Sequence, residues 1–511
     1  MTDFDVIILG GGLAGLACAR RIKEKNDKLS ILILEGRNRV GGRTLTDSNY
    51  EKNAIDIGGQ WIGPTQHLAL DLSKSLGLEL EEQIWFDDNC ESSSLCSGTS
   101  VELSEVEQVE LTKVSSNLED LAATVPGPPH WRSISGALQD LDTMSTHDYL
   151  SSLTTHPNVL HELEMLVQTV LAVDTRSLSA LYFLFVLRAC GGLAALGDGP
   201  SGAQKWKVRG GAQMLSLRML EELQSLTGME VRLCCVSSSI NVLADGLFGV
   251  EYSQNYSEEL VISRARDVVV AMAPPLWSSI SFSPALPEGK REIAVGMVRG
   301  CAIKVVSVFN RAFWQQKANE ASGPAPVLEN CGLIANLFPT VVAGRPALVG
   351  LITGATATEK YKLLSMRERQ ETVMKQISAF FRLHAEIKLA VQGGAPDLGA
   401  SVEAGLGSAA LEASDVRMLY FVDRVWCFGQ NEVDSDEARK EARFNSGCFA
   451  AVMPPGLCTK HGDCIRDPIP HPVLASSCIH FASTELAETW PGYFEGAIES
   501  GYRAAADILK C

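Results

Sequence analysis

At 511 residues the chain is longer than one hydrophobic core usually serves, so two domains are expected. A formal net charge of −17 argues against a nucleic-acid surface and against a basic membrane-binding face. The 14 cysteines are scattered, include the adjacent Cys234 and Cys235, and show no CxxC spacing, so reduced thiols and no metal are expected.

The chain enters its first strand almost at once, which leaves no room for a signal peptide, and no apolar run is long enough to span a bilayer. A soluble, cytoplasmic protein without a transmembrane anchor is expected. Val6 to Leu9 are branched and apolar, as in a strand buried on both faces, and glycines follow immediately. Gly10, Gly12 and Gly15 fit GxGxxG: the first permits a tight turn, the second lets backbone approach a pyrophosphate, and the third lets helix pack on strand. The helix that begins there offers unpaired N–H groups and the positive end of its dipole. After a second apolar strand, Ile31 to Leu34, Glu35 stands where a carboxylate accepts hydrogen bonds from an adenosine ribose. Strand, glycines, helix, strand and acid in one βαβ unit predict dinucleotide binding.

Glu35 to Arg43 read EGRNRVGGR. This stretch resembles the entry signature of the flavin-containing amine oxidases, and the resemblance implies FAD, with Arg37, Gly42 and Arg43 among its contacts. IDIGGQWIGPTQ, Ile55 to Gln66, is similar to the family's second flavin-contacting loop. It implies backbone approach at Gly58 and Gly59, with Gln60 and Trp61 beside the flavin; taken alone, the stretch reads as a glycine turn with a core tryptophan. The serine-rich piece Glu91 to Ser100 reads as solvated surface without chemistry, and VPGPPHW, Val125 to Trp131, breaks the helical periodicity that follows. Ser179 to Gly192 is apolar nearly all round and is expected as a buried helix. It resembles the monoamine oxidase segment beside the substrate cavity, which implies Gln204 as a cavity glutamine. Gly197 then falls where the family often has a bulky gating side chain; it reads equally as a loop glycine.

DVVVAMAPP, Asp267 to Pro275, predicts a buried strand ending at a proline pair, and Val236 falls near the expected adenine contact. GCAIKVVSVF, Gly300 to Phe309, carries one charge in an apolar strand. Burying an ammonium is costly unless it is paired, so Lys304 is a functional candidate, although a strand lysine can also point to solvent. The resemblance implies that Lys304 holds a water against the flavin. Two stretches depart from the family pattern: Gln392 to Ser414, rich in glycine and alanine, and Asn431 to Ala442. If Trp426 stacks near the flavin as the resemblance implies, the second insert must loop out.

NSGCFAAVMPPG, Asn445 to Gly456, resembles the monoamine oxidase segment whose cysteine joins the flavin through a thioether. In isolation Cys448 reads as an inert core thiol; the resemblance implies covalent FAD through it. Phe449 and Tyr493 match the two aromatic rings that face the amine, with phenylalanine replacing one usual tyrosine and one hydroxyl dipole lost. By itself Phe449 reads as a core aromatic. FASTELAETW, Phe481 to Trp490, resembles the closing FAD motif, with Ser483 in place of glycine, followed by Thr484. The final helix, with Phe494 in its first turn, aims its positive end at the flavin. Gly496, Ala497 and Gly501 predict close packing of that helix.

The fold expected is α/β: a discontinuous Rossmann-like FAD-binding domain (1–80, 207–292, 443–511) interleaved with an α+β substrate domain (81–206, 293–442), as in the amine oxidases and p-hydroxybenzoate hydroxylase. The catalytic group is expected to be Lys304, Phe449 and Tyr493, the substrate contacts Gln204, Gly197, Phe449 and Tyr493. The implied reaction is oxidative deamination of a primary aryl-alkyl amine by oxygen to aldehyde, ammonia and hydrogen peroxide. A polyamine, diamine or L-amino-acid oxidase stays open as an alternative, as do a degenerate binding protein and a homodimer.

Overall fold

The structure is a computed structural model and describes residues 3–86, 103–128, 130–197, 201–315, 332–381, 388–389, 416–427, 436–445 and 447–510. The serine-rich piece 91–100, the insert 392–414 and residues 431–435 of the second insert lie outside the described residues.

The first strand, Asp3–Leu9, pairs in parallel with Ile31–Leu34 on one side and with Leu260–Val270 on the other. Helix Leu13–Lys25 makes the crossover between the first two. Side chains alternate along a strand, so consecutive apolar residues serve two cores. Val6 and Ile8 pack with this helix and with the last helix, Phe494–Lys510; Ile7 and Leu9 pack into the core that holds the helices of the middle of the chain. The run of branched residues is therefore needed in full, because neither face of the strand meets water.

Seven strands lie in the order Ser281–Ser283, Cys235–Val242, Phe248–Gln254, Leu260–Val270, Asp3–Leu9, Ile31–Leu34 and Met229–Arg232. Cys478–Phe481 joins the C-terminal half of Leu260–Val270 in parallel and carries Ile469–Pro470 beside it. The sheet thus draws its strands from the beginning, middle and end of the sequence. Gly501 lets the last helix lie against the first: a Cβ there would meet the carbonyl oxygen of Ala14.

A second sheet is built on Ala302–Phe309, which pairs antiparallel with both Arg345–Thr353 and Arg417–Val425. Asn336–Val342 and Lys388–Leu389 extend it. Every residue of the central strand is buried, including Lys304. The expected apolar helix forms as Ala180–Ala189, capped by the Ser179 hydroxyl accepting from the Tyr182 N–H, with eight consecutive residues buried. Trp131, after the proline break, stacks edge-on against Tyr182 and Phe185 of that helix. No described helix is long and apolar enough to cross a membrane.

Candidate active site

One elongated cavity runs from the first βα turn to the C-terminal motifs. Gly10, Gly12, Glu35, Arg37, Gly42, Arg43, Gly59, Val236, Trp426, Cys448, Phe449, Ser483, Thr484, Tyr493 and Phe494 all border it, although they are scattered from the first to the last motif of the sequence. Gly15, Gln60, Trp61, Lys304, Gln204 and Gly197 are outside its lining.

At the nucleotide end, Gly10 adopts φ +116° with the Ala271 carbonyl 2.5 Å from where a Cβ would stand, so only glycine fits the turn. Gly15 abuts the Gly10 carbonyl itself, which explains its place outside the cavity. Between Gly12 and Gly42 the backbones leave space, with the nearest Cα to a Gly12 Cβ at 4.0 Å. Gly12 also caps the first helix without any side-chain hydrogen bond, so the helix N–H groups face an open cradle. Glu35 is buried, its carboxylate accepting from Gly11 N–H (2.7 Å) and Arg37 N–H (2.8 Å). Val236 lies one residue beyond Cys235, whose N–H bonds the Glu35 carbonyl (2.8 Å).

Positive charge dominates this end. Arg37, Arg39 and Arg424 share the single carboxylate of Glu441, at 2.8, 3.1 and 3.0 Å. Burial raises the Glu441 carboxyl, but the three guanidiniums outweigh that and hold it below its ordinary range. Glu441 belongs to helix Asp436–Ala442, the described part of the second insert, and Phe444 just beyond it covers Gly36 and lies under the Arg37 guanidinium at 5.3 Å. Trp426 borders the cavity and anchors its indole N–H on the Ile57 carbonyl (2.8 Å).

Arg43 crosses from the glycine motif to the C-terminal motifs, donating to both Glu485 oxygens (2.7 and 3.1 Å) and to the Phe449 carbonyl (2.9 Å). Cys448 is buried next to it, and burial pushes its thiol up to about 12. The peptide bond between Cys448 and Phe449 is cis. Ala450 and Gly492 are in contact, the latter's Cβ position 3.6 Å from the Ala450 Cβ, which brings the Phe449 and Tyr493 segments side by side. Tyr493 stands edge-on to Trp490 at 4.8 Å. Thr484 bridges the backbone of this turn, accepting from Gly492 N–H (2.7 Å) and donating to the Tyr493 carbonyl (2.9 Å).

Lys304 sits behind this wall. Its ammonium donates to the Gln60 side-chain oxygen and to the Gly58 carbonyl (3.1 Å) and lies 5.0 Å from the Trp61 ring centre. Burial lowers it to about 8, against the pull of Asp56, which burial in turn raises to about 6. A Cβ at Gly58 would meet the Arg43 carbonyl oxygen and lie 2.8 Å from the Leu45 nitrogen, so the chain's own packing requires glycine there. At Gly59 a Cβ would meet the Phe494 ring, at 2.7 Å. Gln60 and Trp61 hold Lys304 and, through the Trp61 N–H on Gln83 (2.9 Å), the neighbouring sheet.

Gly197 closes the short helix Leu193–Leu196 with its N–H on the Leu193 carbonyl (2.8 Å). Gln204 keeps its side-chain oxygen buried without a described partner, and so does Gln66 with both ends of its amide. Gln66 ends the second glycine loop, and its amide lies beside Gly63, which in turn packs on Gly202 and Ala203. Buried polar groups without a protein partner are ones that a ligand or water would satisfy.

The residues present fit a dinucleotide. The cradle between Gly12 and Gly42 would be filled by a Cβ, the surplus of guanidinium over carboxylate suits a pyrophosphate, and the Ser483 hydroxyl is buried at the cavity without a described partner. Fold and site together define a dinucleotide-dependent oxidoreductase with a buried lysine behind the cofactor wall.

The family model for flavin containing amine oxidoreductase matches residues 13–408 and 430–509, and the chain belongs to that family. It is 27% identical over 515 residues to amine oxidase A of Equus caballus, covering 99% of this chain and 85% of that protein. The human amine oxidase B is 26% identical over 512 residues, with 99% and 86% covered. Among solved structures, cyclohexylamine oxidase from Brevibacterium oxydans superposes with a TM-score of 0.76 at 24% identity over 99% of each chain. Putrescine oxidase bound to putrescine gives 0.76 at 23% over 100% and 99%. The protein is thus a flavin-dependent amine oxidase, and its cofactor is a flavin.

Proposed function

We propose that the enzyme oxidises a primary amine of aryl-alkyl type with oxygen to aldehyde, ammonia and hydrogen peroxide, as a soluble cytoplasmic protein with FAD held through Cys448. FAD held there would supply the redox chemistry, uptake of a hydride equivalent from the carbon bearing the amine and its delivery to oxygen. Glu35 and Val236 would take the adenosine, the first helix N-terminus and Arg37 the pyrophosphate, and Trp426, Cys448 and Phe494 the ring end. The domain division expected from the sequence accompanies this reading, with the nine-stranded sheet as the cofactor half.

The observation that carries the substrate class is the character of the cavity wall. Glu35 is the one carboxylate in the described lining, and it is engaged by Gly11 and Arg37 at the nucleotide end. A diamine needs a free carboxylate for its second charge, whereas an aryl-alkyl amine needs aromatic faces, which Phe449 and Tyr493 provide. These rings orient the neutral amine. Lys304 gives two of its three N–H donors to Gln60 and Gly58 and keeps one for a water, while its burial excludes bulk solvent from that side. Gln204 orients the substrate, and Gly197, without a side chain, leaves its passage wide.

A peroxide-coupled assay over a panel of amines tests the class. Turnover of 2-phenylethylamine-type compounds well above putrescine and L-amino acids supports it, and the reverse order overturns it.

A further inference from the structure

Cys301 and Cys427 meet at the edge of the sheet that carries Lys304. The antiparallel register pairs Ile303 with Val425, and the Trp426 N–H continues it by bonding the Ala302 carbonyl (3.2 Å). One step further, Cys301 faces Cys427. The Cys301 backbone is engaged elsewhere, its N–H on the Ala172 carbonyl (2.7 Å) and its carbonyl taking the Gly354 N–H (3.1 Å). The two cysteines therefore form a pair without backbone hydrogen bonds, the kind in which facing Cα atoms stand about 4.5 Å apart and side chains are closest. That spacing falls within the roughly 4.4–6.8 Å span that a disulfide bridges.

The register sets the two side chains beside one another, and both residues are partly exposed, unlike the buried Cys18, Cys190 and Cys458. The groups facing Cys301 besides Cys427 are the Arg299 carbonyl, to which the thiol donates (3.9 Å), the Thr358 hydroxyl, the Lys362 ammonium and, opposing it, Glu359. Hydrogen bonding from Cys427 comes first among the influences that lower the Cys301 thiol to about 7, while Cys427 is held as the thiol. One sulfur is thus prepared as a nucleophile and the other as its resolving partner.

We propose that Cys301 and Cys427 form an oxidisable dithiol, a modification site whose reagent is the hydrogen peroxide that the enzyme itself releases. The source of peroxide rests on the amine oxidase reading; the dithiol does not. The Cys301 thiolate attacks one peroxide oxygen and the O–O bond breaks, leaving sulfenic acid on Cys301 and a hydroxide that takes up a proton as water. The Cys427 sulfur then attacks the Cys301 sulfur, the S–O bond breaks, and the oxygen leaves as a second water with the Cys427 proton. Two sulfurs lose two electrons together, and peroxide is reduced to two waters. The disulfide ties the Lys304 strand to the turn that carries Trp426.

The flavin-loaded full chain is treated with added hydrogen peroxide, alkylated with iodoacetamide, digested with trypsin without reduction and analysed by mass spectrometry. The expected product joins peptide Gly300–Lys304 to peptide Val425–Arg439, with loss of alkylation at both cysteines, reversal by dithiothreitol and absence in Cys301→Ser. Alkylation of both thiols after peroxide, sulfinic acid on Cys301 with Cys427 free, or a link from Cys301 to the nearby Cys448 would overturn the proposal. A parallel arm supplies amine instead of peroxide, with and without catalase. Linkage there that catalase prevents supports self-supply, and peroxide release without linkage overturns it. Absence of peroxide contradicts the reading of the reaction, and the added-peroxide arm still decides the dithiol.

Discussion

Arg43 and Glu485, 442 residues apart, form a two-pronged ion pair at the junction of the glycine motif and the closing motif. Glu485 has no side-chain exposure and also accepts from the Ala451 N–H (3.2 Å), while Arg43 keeps 29% of its surface open at the cavity and holds the Phe449 carbonyl. The pair thus positions the backbone on both sides of Cys448 and Phe449.

Removing one partner of a buried pair leaves the other charge uncompensated, at a cost of about 3–5 kcal/mol. Glu485→Ala is therefore expected to lower stability by about that amount, read as a shift of the urea midpoint with the slope unchanged. Burial raises the Glu485 carboxyl, but Arg43 outweighs it and holds the folded-state value below 4.5. The stabilisation from this group is complete above its unfolded value and is lost as pH falls through the folded one, so the wild type and the variant should converge in acid. An undiminished difference well below that range would show that the pair acts through packing alone.

Lys304 reaches about 8 because it is buried, with Asp56 limiting the fall. Its ammonium is thus expected to lose its proton as pH rises through that value. Reoxidation of dithionite-reduced enzyme, which involves no amine substrate, should slow above about 8 in the wild type. Lys304→Met should be slow at every pH and show no such limb, on the order of 100-fold below the wild type at neutral pH. Stopped-flow absorbance with oxygen checks this, and an identical limb in the variant would remove Lys304 from that step.

Cys448 has its thiol pushed up by burial, with Arg43 and Lys304 as the charges that favour the thiolate. Cys448→Ala should release FAD into the supernatant on acid precipitation, whereas the wild-type pellet should stay yellow. Colour lost from the wild-type pellet would place FAD in the same cavity without the bond.

Tyr493→Ala should reduce kcat/KM for an aromatic amine about tenfold, the loss expected when one aromatic face of about 1–2 kcal/mol is removed. Phe449→Tyr should leave it within about threefold, since the ring face is kept. An equal loss in Phe449→Tyr, which keeps the ring, would show that the aromatic face is not what the substrate depends on.

The βα unit was legible because its signals are local: Gly10, Gly12, Gly15 and Glu35 lie within one supersecondary element whose hydrogen bonds and close approaches dictate each residue. Lys304 was legible for a different reason, as a charge inside an apolar strand that had to find partners. Glu441 was not, because its stretch departs from the family pattern and its role depends on Arg37, some 404 residues away. At Gly58 and Gly59 the close neighbours in the fold are the Arg43 carbonyl and the Phe494 ring, and spacing along the chain does not show whether backbone, a ring or a cofactor is what approaches. Gln66 carries no local signal at all: an unpaired buried amide exists only once the fold has closed around it.

The central claim is that this cavity binds a flavin and delivers an amine to it. The measurement that tests it most directly is the visible absorption spectrum of the purified protein, recorded anaerobically before and after addition of an aryl-alkyl amine. The account predicts a flavin spectrum that bleaches on addition of amine and returns when oxygen is admitted. A flavin spectrum unchanged by any amine, or a colourless protein that FAD does not reconstitute, would contradict it.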